Sequence, residues 1–301
     1  MLRLGYNKPL YILPFDHRNT FLKSMYHVDT LNEKQIEQIK EFKKIIYLGF
    51  KWAIKKGVPK ENAAILIDDQ YGKEVMQLAK EDRVAVLYTL EKSGVEFVEF
   101  AHANWQEKVK QYNPEFCKML VKYNPDDENL QKEQKLSVLK IASDFTHENG
   151  YKFLIEPLIP ATNQQLTKVN NNKDEYDQKI RPLLTIAMIK EMQEAGVEPD
   201  IWKLEGMNLE DDYKNVVRQA RFDNRENVSV VILGRGANFE KVSNWLRVGA
   251  KVNGVIGFAV GRTIFWEALE EYREGKISSG DAVIKIGGNF MKCYEIFTHS
   301  N

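Results

Sequence analysis

Cysteine is nearly absent. Cys117 and Cys293 are the only two in 301 residues, too few for the disulfide framework on which small secreted folds lean. Neither sign of charge is in excess, since Lys plus Arg is 43 and Asp plus Glu is 43. A chain without a net basic field has no general grip on a nucleic-acid backbone, so only local anion sites remain. No apolar run reaches the roughly 18 residues of a membrane span. The start, Met1-Leu2-Arg3-Leu4-Gly5, lacks the apolar core of a secretion signal. The expectation is a soluble cytoplasmic protein that binds neither nucleic acid nor membrane. Histidine is also sparse: His17, His27, His102, His147 and His299 form no His-x-x-x-His pair, and there is no Cys-x-x-Cys. Zinc chemistry is therefore disfavoured, and no metal or cofactor is expected. Asp68-Asp69 could hold magnesium, but adjacent acids at that place more often cap the next helix, here expected near Gly72.

What is present is a globular balance, 43% hydrophobic and 29% charged, with a mean hydropathy of -0.45. Short β-branched or aromatic runs alternate with longer amphipathic segments, the rhythm of βα units. Strands are expected at 10–15, 64–68, 84–89, 117–123, 152–158, 201–205, 228–233 and 254–260. Eight such units predict one α/β domain over residues 1–301, a (β/α)8 barrel with an extra C-terminal helix near 281–297. The first helix is expected to start at Thr30, with Glu33 at capping-box spacing. Its apolar positions Ile36, Ile39, Phe42, Ile46, Phe50 and Ala53 recur at helical spacing, and Gly57 and Pro59 end it. A doubly wound sheet is the rival, but strand one ends Pro14-Phe15-Asp16-His17-Arg18 without the glycine-rich turn that fold uses. Residues 161–177, with Asn170-Asn171-Asn172, read as an irregular stretch over the catalytic face: a solvated loop or, less commonly, a lid.

In a barrel strand alternate side chains face the helices or the interior, so polar residues inside strands are informative. In Ile201-Trp202-Lys203-Leu204-Glu205, Trp202 and Leu204 suit the helices, which leaves Lys203 and Glu205 pointing inward. Desolvation and nearby cations would free such a lysine for attack on a carbonyl. A plain Lys203–Glu205 ion pair is the competing reading. Lys118 and Lys122 are expected in the same interior, as is Glu156, a carboxyl able to move protons. Asp16, Arg18 and Glu91 stand at further strand ends. After strands seven and eight come Gly234-Arg235-Gly236 and Gly261-Arg262-Thr263, where barrels often bind phosphate through backbone amides at a helix start.

These motifs resemble the class I aldolase barrels, including the class I tagatose bisphosphate aldolases, through Ile65-Leu66-Ile67-Asp68 with Tyr71-Gly72, Glu91-Lys92-Ser93-Gly94, and Asp200 through Glu205. A closer resemblance is to the aldolase-like domain fused behind 5-dehydro-2-deoxygluconokinase in bacterial inositol catabolism. Its residues are Leu13-Pro14-Phe15-Asp16-His17-Arg18, Val121-Lys122-Tyr123-Asn124-Pro125, Gly196 through Gly206, Leu233-Gly234-Arg235-Gly236 and Gly257 through Trp266. The resemblance spans nearly the whole chain and implies a metal-independent Schiff-base aldolase. Lys203 would form the imine, Glu156 would be the acid and base, Asp16 and Lys118 their partners, and Arg262 with its glycines the phosphate site. Two departures stand out: no kinase segment precedes the barrel in these residues, and Lys122 occupies a place where arginine is expected. The substrate the resemblance implies is 2-deoxy-5-keto-gluconate 6-phosphate, cleaved to dihydroxyacetone phosphate and malonate semialdehyde. A tagatose- or fructose-type bisphosphate is the second choice, with a non-catalytic phosphosugar sensor or an isomerase as rivals. The partners admitted are a small phosphorylated sugar and further copies of the chain.

Overall fold

Residues 4–300 are described by the structure, a computed structural model; the reading of Met1-Leu2-Arg3 falls outside them. The strands are β1 (Leu10–Pro14), β2 (Ala63–Ile67), β3 (Ala85–Thr89), β4 (Phe116–Lys122), β5 (Lys152–Leu158), β6 (Ile201–Glu205), β7 (Ser229–Leu233) and β8 (Val255–Ala259). All pair in parallel, each with the next, and β8 closes on β1. The helices are α1 (Glu33–Lys55), α2 (Asp69–Glu81), α3 (Trp105–Tyr112), α4 (Asn129–Glu148), α5 (Asn163–Thr167), α6 (Lys173–Glu175), α7 (Arg181–Glu194), α8 (Glu210–Ala220), α9 (Phe239–Ala250), α10 (Arg262–Arg273) and α11 (Ser279–Thr298). This is the expected α/β barrel with its additional C-terminal helix, and every strand end falls within one residue of the sequence expectation.

Two apolar clusters follow from the two faces of each strand. One, between strands and helices, holds Tyr11, Leu13, Ile65, Met119, Ile155, Trp202 and Leu204 among many others. The second fills the barrel with Leu10, Ile12, Ala64, Leu66, Leu87, Phe116, Leu154, Ile201, Val231 and Ala259. Continuing that inner parity toward the carboxyl ends turns apolar into polar: Leu10 and Ile12 lead to Asp16, Leu87 to Thr89 and Glu91, Phe116 to Lys118, Leu154 to Glu156, Ile201 to Lys203. The lower interior is a plug that holds the strands together, and the upper interior is free for chemistry.

Three local expectations are corrected. Helix α1 is capped two residues later than Thr30. Asn32 accepts from Gln35 N at 2.9 Å and the Gln35 side chain returns to Asn32 N at 2.9 Å, a box of the same spacing as Thr30 and Glu33 but with both bonds made. Helix α2 starts at Asp69 rather than near Gly72, because the Asp68 side chain accepts from Tyr71 N at 2.9 Å. Residues 161–177 contain α5, α6 and the start of a π-helical turn, Tyr176–Ile180. Tyr176 is buried and donates to Ile159 O at 3.0 Å, so this stretch is anchored, and none of it lines the central cavity. No helix among the described residues is long and apolar enough to cross a membrane.

Candidate active site

A cavity of about 310 Å³ opens at the carboxyl ends of the strands, and Asp16, His17, Arg18, Glu91, Lys118, Glu156, Lys203, Gly236, Gly261 and Arg262 are on its wall. The strand registers assemble its floor. Pairs Leu154↔Ile201 and Ile155↔Trp202 carry on to set Glu156 beside Lys203, and Thr89↔Lys118 puts Lys118 beside the end of β3. Lys203 Nζ lies 2.8 Å from Glu156 Oε2, both side chains buried. The Lys203–Glu205 pair does not form. Glu205 instead accepts from Ile159 N at 3.1 Å and faces Arg235 Nη1 at 3.1 Å, off the cavity wall.

Lys118 holds the cluster together. Its Nζ reaches Glu91 Oε1 at 2.7 Å, Asp16 Oδ2 at 2.8 Å and Glu156 Oε2 at 3.1 Å, while Thr89 donates to Glu91 at 2.9 Å. Burial alone would lower the Lys118 ammonium, but Asp16, Glu156 and Glu91 outweigh it and push its pKa up. Burial would likewise raise Asp16 and Glu156, and the facing Lys118 and Lys203 charges hold both below the ordinary carboxylate range. Lys118 and Lys203 share one Glu156 oxygen. The expectation that cations surround Lys203 is thus corrected: its bonded neighbour is a carboxylate, and three carboxylates absorb the charge of Lys118.

Above the floor, Arg18 is buried, with Nη2 3.7 Å from Glu91 Oε1 and Nε without a partner. Lys122 lies one parity step beyond Leu120, where β4 leaves the barrel, so it is exposed on the rim instead of inside. On the opposite wall Gly236 has φ +70°, and a β-carbon there would stand 2.6 Å from the Arg262 guanidinium. Only glycine leaves that guanidinium its place, where Nη2 also donates to Arg235 O at 3.1 Å. Arg235, expected on phosphate, commits its own guanidinium to Asp177 at 2.8 and 3.0 Å and to Glu205. Gly234 is set back from the wall, whereas Gly261 is on it. The segment that overhangs the cavity follows β3, with Lys92 through Glu96 and Val98, and not β5 as expected.

Sequence reasoning passed over Lys43. This fully buried residue of α1 donates to Phe15 O at 2.6 Å and His17 O at 3.3 Å, and pairs with buried Asp68. It pins the connection that carries Asp16 and Arg18. The signal was available, because Lys43 is four residues after Ile39 and four before Tyr47, on the apolar stripe. Lys43→Met should leave Asp68 charged and unpaired, and lower the unfolding free energy by about 3 kcal/mol. Urea denaturation checks this, and adding Asp68→Asn should recover part of the loss.

A parallel eight-stranded barrel with a buried lysine–carboxylate cluster at its carboxyl end defines the class of protein. The chain belongs to the family described as "Uncharacterized protein conserved in bacteria (DUF2090)", whose model matches residues 3–301. No curated protein matches it. Among solved structures it is similar to Cgl0159 from Corynebacterium glutamicum (Brevibacterium flavum), at 15% identity and a TM-score of 0.61, over 97% of this chain and 88% of that one. At that identity the likeness speaks for the fold.

Proposed function

We propose that the protein is a Schiff-base aldolase acting on a phosphorylated keto sugar or keto sugar acid, with Lys203 as nucleophile. The observation that carries this reading is Lys203 Nζ, buried on the cavity wall 2.8 Å from a Glu156 oxygen. Glu156 takes a proton from Lys203 as the amine adds to the ketone, and returns it as the carbinolamine loses water. The bonded cluster of Asp16, Glu91 and Glu156 against Lys118, Lys203 and Arg18 is balanced in charge. That balance favours the cationic iminium over a neutral amine, and the iminium draws in the electrons of the bond between the α and β carbons, leaving an enamine. As that bond breaks, Glu156 accepts the proton of the hydroxyl on the β carbon, which becomes the aldehyde product. Protonation of the enamine and hydrolysis of the imine free the ketone fragment and Lys203.

Gly236, Gly261, Arg262 and the start of α10 suit one phosphate. Arg18, with its unpartnered Nε on the cavity wall, suits a second anion, as a keto acid phosphate or a ketose bisphosphate would supply. The resemblance to the inositol-catabolic domain favours 2-deoxy-5-keto-gluconate 6-phosphate between them. Arg262→Ala should lower kcat/KM on all phosphorylated substrates by roughly tenfold to a hundredfold, the worth of one charge-assisted contact of about 1.5 to 3 kcal/mol. Arg18→Gln should do so only where a second anion is present. Steady-state kinetics on the two candidates that carry a second anionic group and on a ketose monophosphate separate these effects. Product analysis tests the reading itself: two fragments are expected, while a rearranged sugar means an isomerase and an unchanged one a sensor.

A further inference from the structure

Strands β1 and β3 are not neighbours, since β2 runs between them, yet the connections that leave them meet above it. Asp68, which follows β2, turns away to cap α2 and pair with Lys43. Successive contacts then sew the other two connections together. Lys118 bridges Asp16 to Glu91 at 2.8 and 2.7 Å, and Arg18 Nη2 faces Glu91 at 3.7 Å. One step further out Asn19 meets Ser93 twice, its backbone N–H donating to Oγ at 3.4 Å and its side-chain amide donating to the carbonyl at 3.3 Å. Asp16, His17, Arg18 and Thr20 are on the cavity wall, whereas Asn19 is off it. The segment it grips doubles back as a narrow antiparallel strap, with Glu91 bridged to Phe100, Lys92 N donating to Glu99 O at 2.9 Å, and an ion pair of 2.8 Å between the same two side chains. Gly94 in this strap has φ +78°, and a β-carbon there would overlap Asn19 Nδ2. Glycine therefore serves twice, for the left-handed backbone and for the close approach of the amide.

We propose that Asn19, with the glycine at 94 that admits it, is a positioning residue: its clamp on Ser93 aims Arg18 at the second anionic group of the substrate and so sets the preference for substrates that carry one. The inference rests on the role of Arg18 proposed above and extends it to two residues that do not touch the substrate. The Arg18 guanidinium is held loosely at its far end, by a pair of 3.7 Å and with Nε unpartnered. Its aim thus depends on where its backbone is fixed, and the next residue along is the one that is clamped. An arginine already aimed gives up little rotamer freedom when the anion arrives. That gain belongs to binding, so it lowers KM without entering the chemical step.

The test is steady-state kinetics of the full-length chain on a keto acid phosphate, a ketose bisphosphate and a ketose monophosphate, with Asn19→Ala, Gly94→Ala and the two combined, beside Arg18→Gln. Asn19→Ala should raise KM about fivefold on the substrates with a second anion, the scale of one neutral hydrogen bond, and leave kcat and the monophosphate unchanged. Gly94→Ala should act in the same direction and more strongly, because its β-carbon drives the amide off Ser93. Combined, the two should cost less than the product of their separate effects, since alanine at 19 keeps only the atom that lies 3.5 Å from that β-carbon. Effects that multiply independently would strike Gly94 from the proposal. Should Gly94→Ala not fold, Asn19→Ala decides alone. Losses of equal size on every substrate, tracking a fall in Tm, mean that the clamp is only scaffold and overturn the inference. So do variants that match the wild type while Arg18→Gln still discriminates, a result that leaves the second-anion reading standing. Arg18→Gln without any substrate-dependent effect, or a wild type that turns over none of the substrates, overturns that reading and the inference with it.

Discussion

Lys203→Met should abolish the borohydride-trapped adduct with dihydroxyacetone phosphate and lower turnover by about five orders of magnitude, the scale on which removal of a nucleophile is felt. The cavity holds two buried lysines, and their surroundings decide between them. Lys118 is bonded to three carboxylates that hold its proton and push its pKa above the ordinary range, so its lone pair is unavailable. Lys203 is bonded to one carboxylate, Glu156, which is itself held ionised by Lys118 and Lys203 against burial and so stands ready as a base. Methionine keeps the length and apolar stem of the side chain, and Glu156 retains Lys118 at 3.1 Å, so the variant should fold. Reduction with borohydride followed by peptide mass mapping is the measurement. A wild-type adduct on Lys118, or one that persists in Lys203→Met, removes Lys203 from the role assigned to it.

Lys118→Met has the second large effect, and it strikes the fold as well as the chemistry. Asp16, Glu91 and Glu156 would lose the ammonium they share, and breaking a buried pair costs about 3 to 5 kcal/mol. Asp16 would be left with no cation in contact, while Glu156 keeps Lys203 at 2.8 Å and Glu91 keeps Arg18 at 3.7 Å, so the lower end is expected, together with loss of activity. The pH dependence should change sign. In the wild type, Asp16 and Glu156 have depressed pKa values, so their contribution is present above the unfolded carboxyl value of about 4 and is lost as pH falls below it. Without Lys118 the buried Asp16 has no cation in contact, its folded value rises above the unfolded one through burial, and stability is lost as pH climbs through it. Urea midpoints at pH 5 and pH 8 check this. The variant should be the more stable at pH 5, whereas a parallel drop at both values would mean that Lys118 acts mainly as packing.

The period of two in the strands made the inner wall legible. Once Trp202 and Leu204 are assigned to the helices, Lys203 can only face inward, and the same parity delivers Lys118 and Glu156. Which carboxylate meets Lys203 was not legible. Glu205 is nearer in sequence and on the same face, but two residues along a strand separate side chains by about 6.6 Å, while the neighbouring strand is closer. The partner is set by register between β5 and β6, a relation between segments that no local pattern contains. Arg235 shows the same limit. Its glycine neighbours advertise an anion site, yet Asp177, 58 residues away in sequence, takes its guanidinium. In residues 161–177 the three asparagines are exposed, as their composition reads, but the buried Tyr176 and Gln165 that tie the stretch down carry no periodic signal.

The inner parity also bears on how the chain finds its fold. Were β6 to pair with β7 one residue out of step, Trp202 and Leu204 would turn into the barrel, while Lys203 and Glu205 would turn toward the helices and away from Glu156 and Arg235, their partners. Sliding is thus penalised twice, once by the bulk of an indole in a space shaped for smaller groups and once by stranded charge. An all-aliphatic β6 would forgive the same error far more readily. Lys203, assigned to chemistry, and Glu205, its companion on the same face, should therefore also disfavour misaligned barrels during folding, and neutralising replacements such as Lys203→Met together with Glu205→Leu should slow refolding by admitting a misregistered competitor.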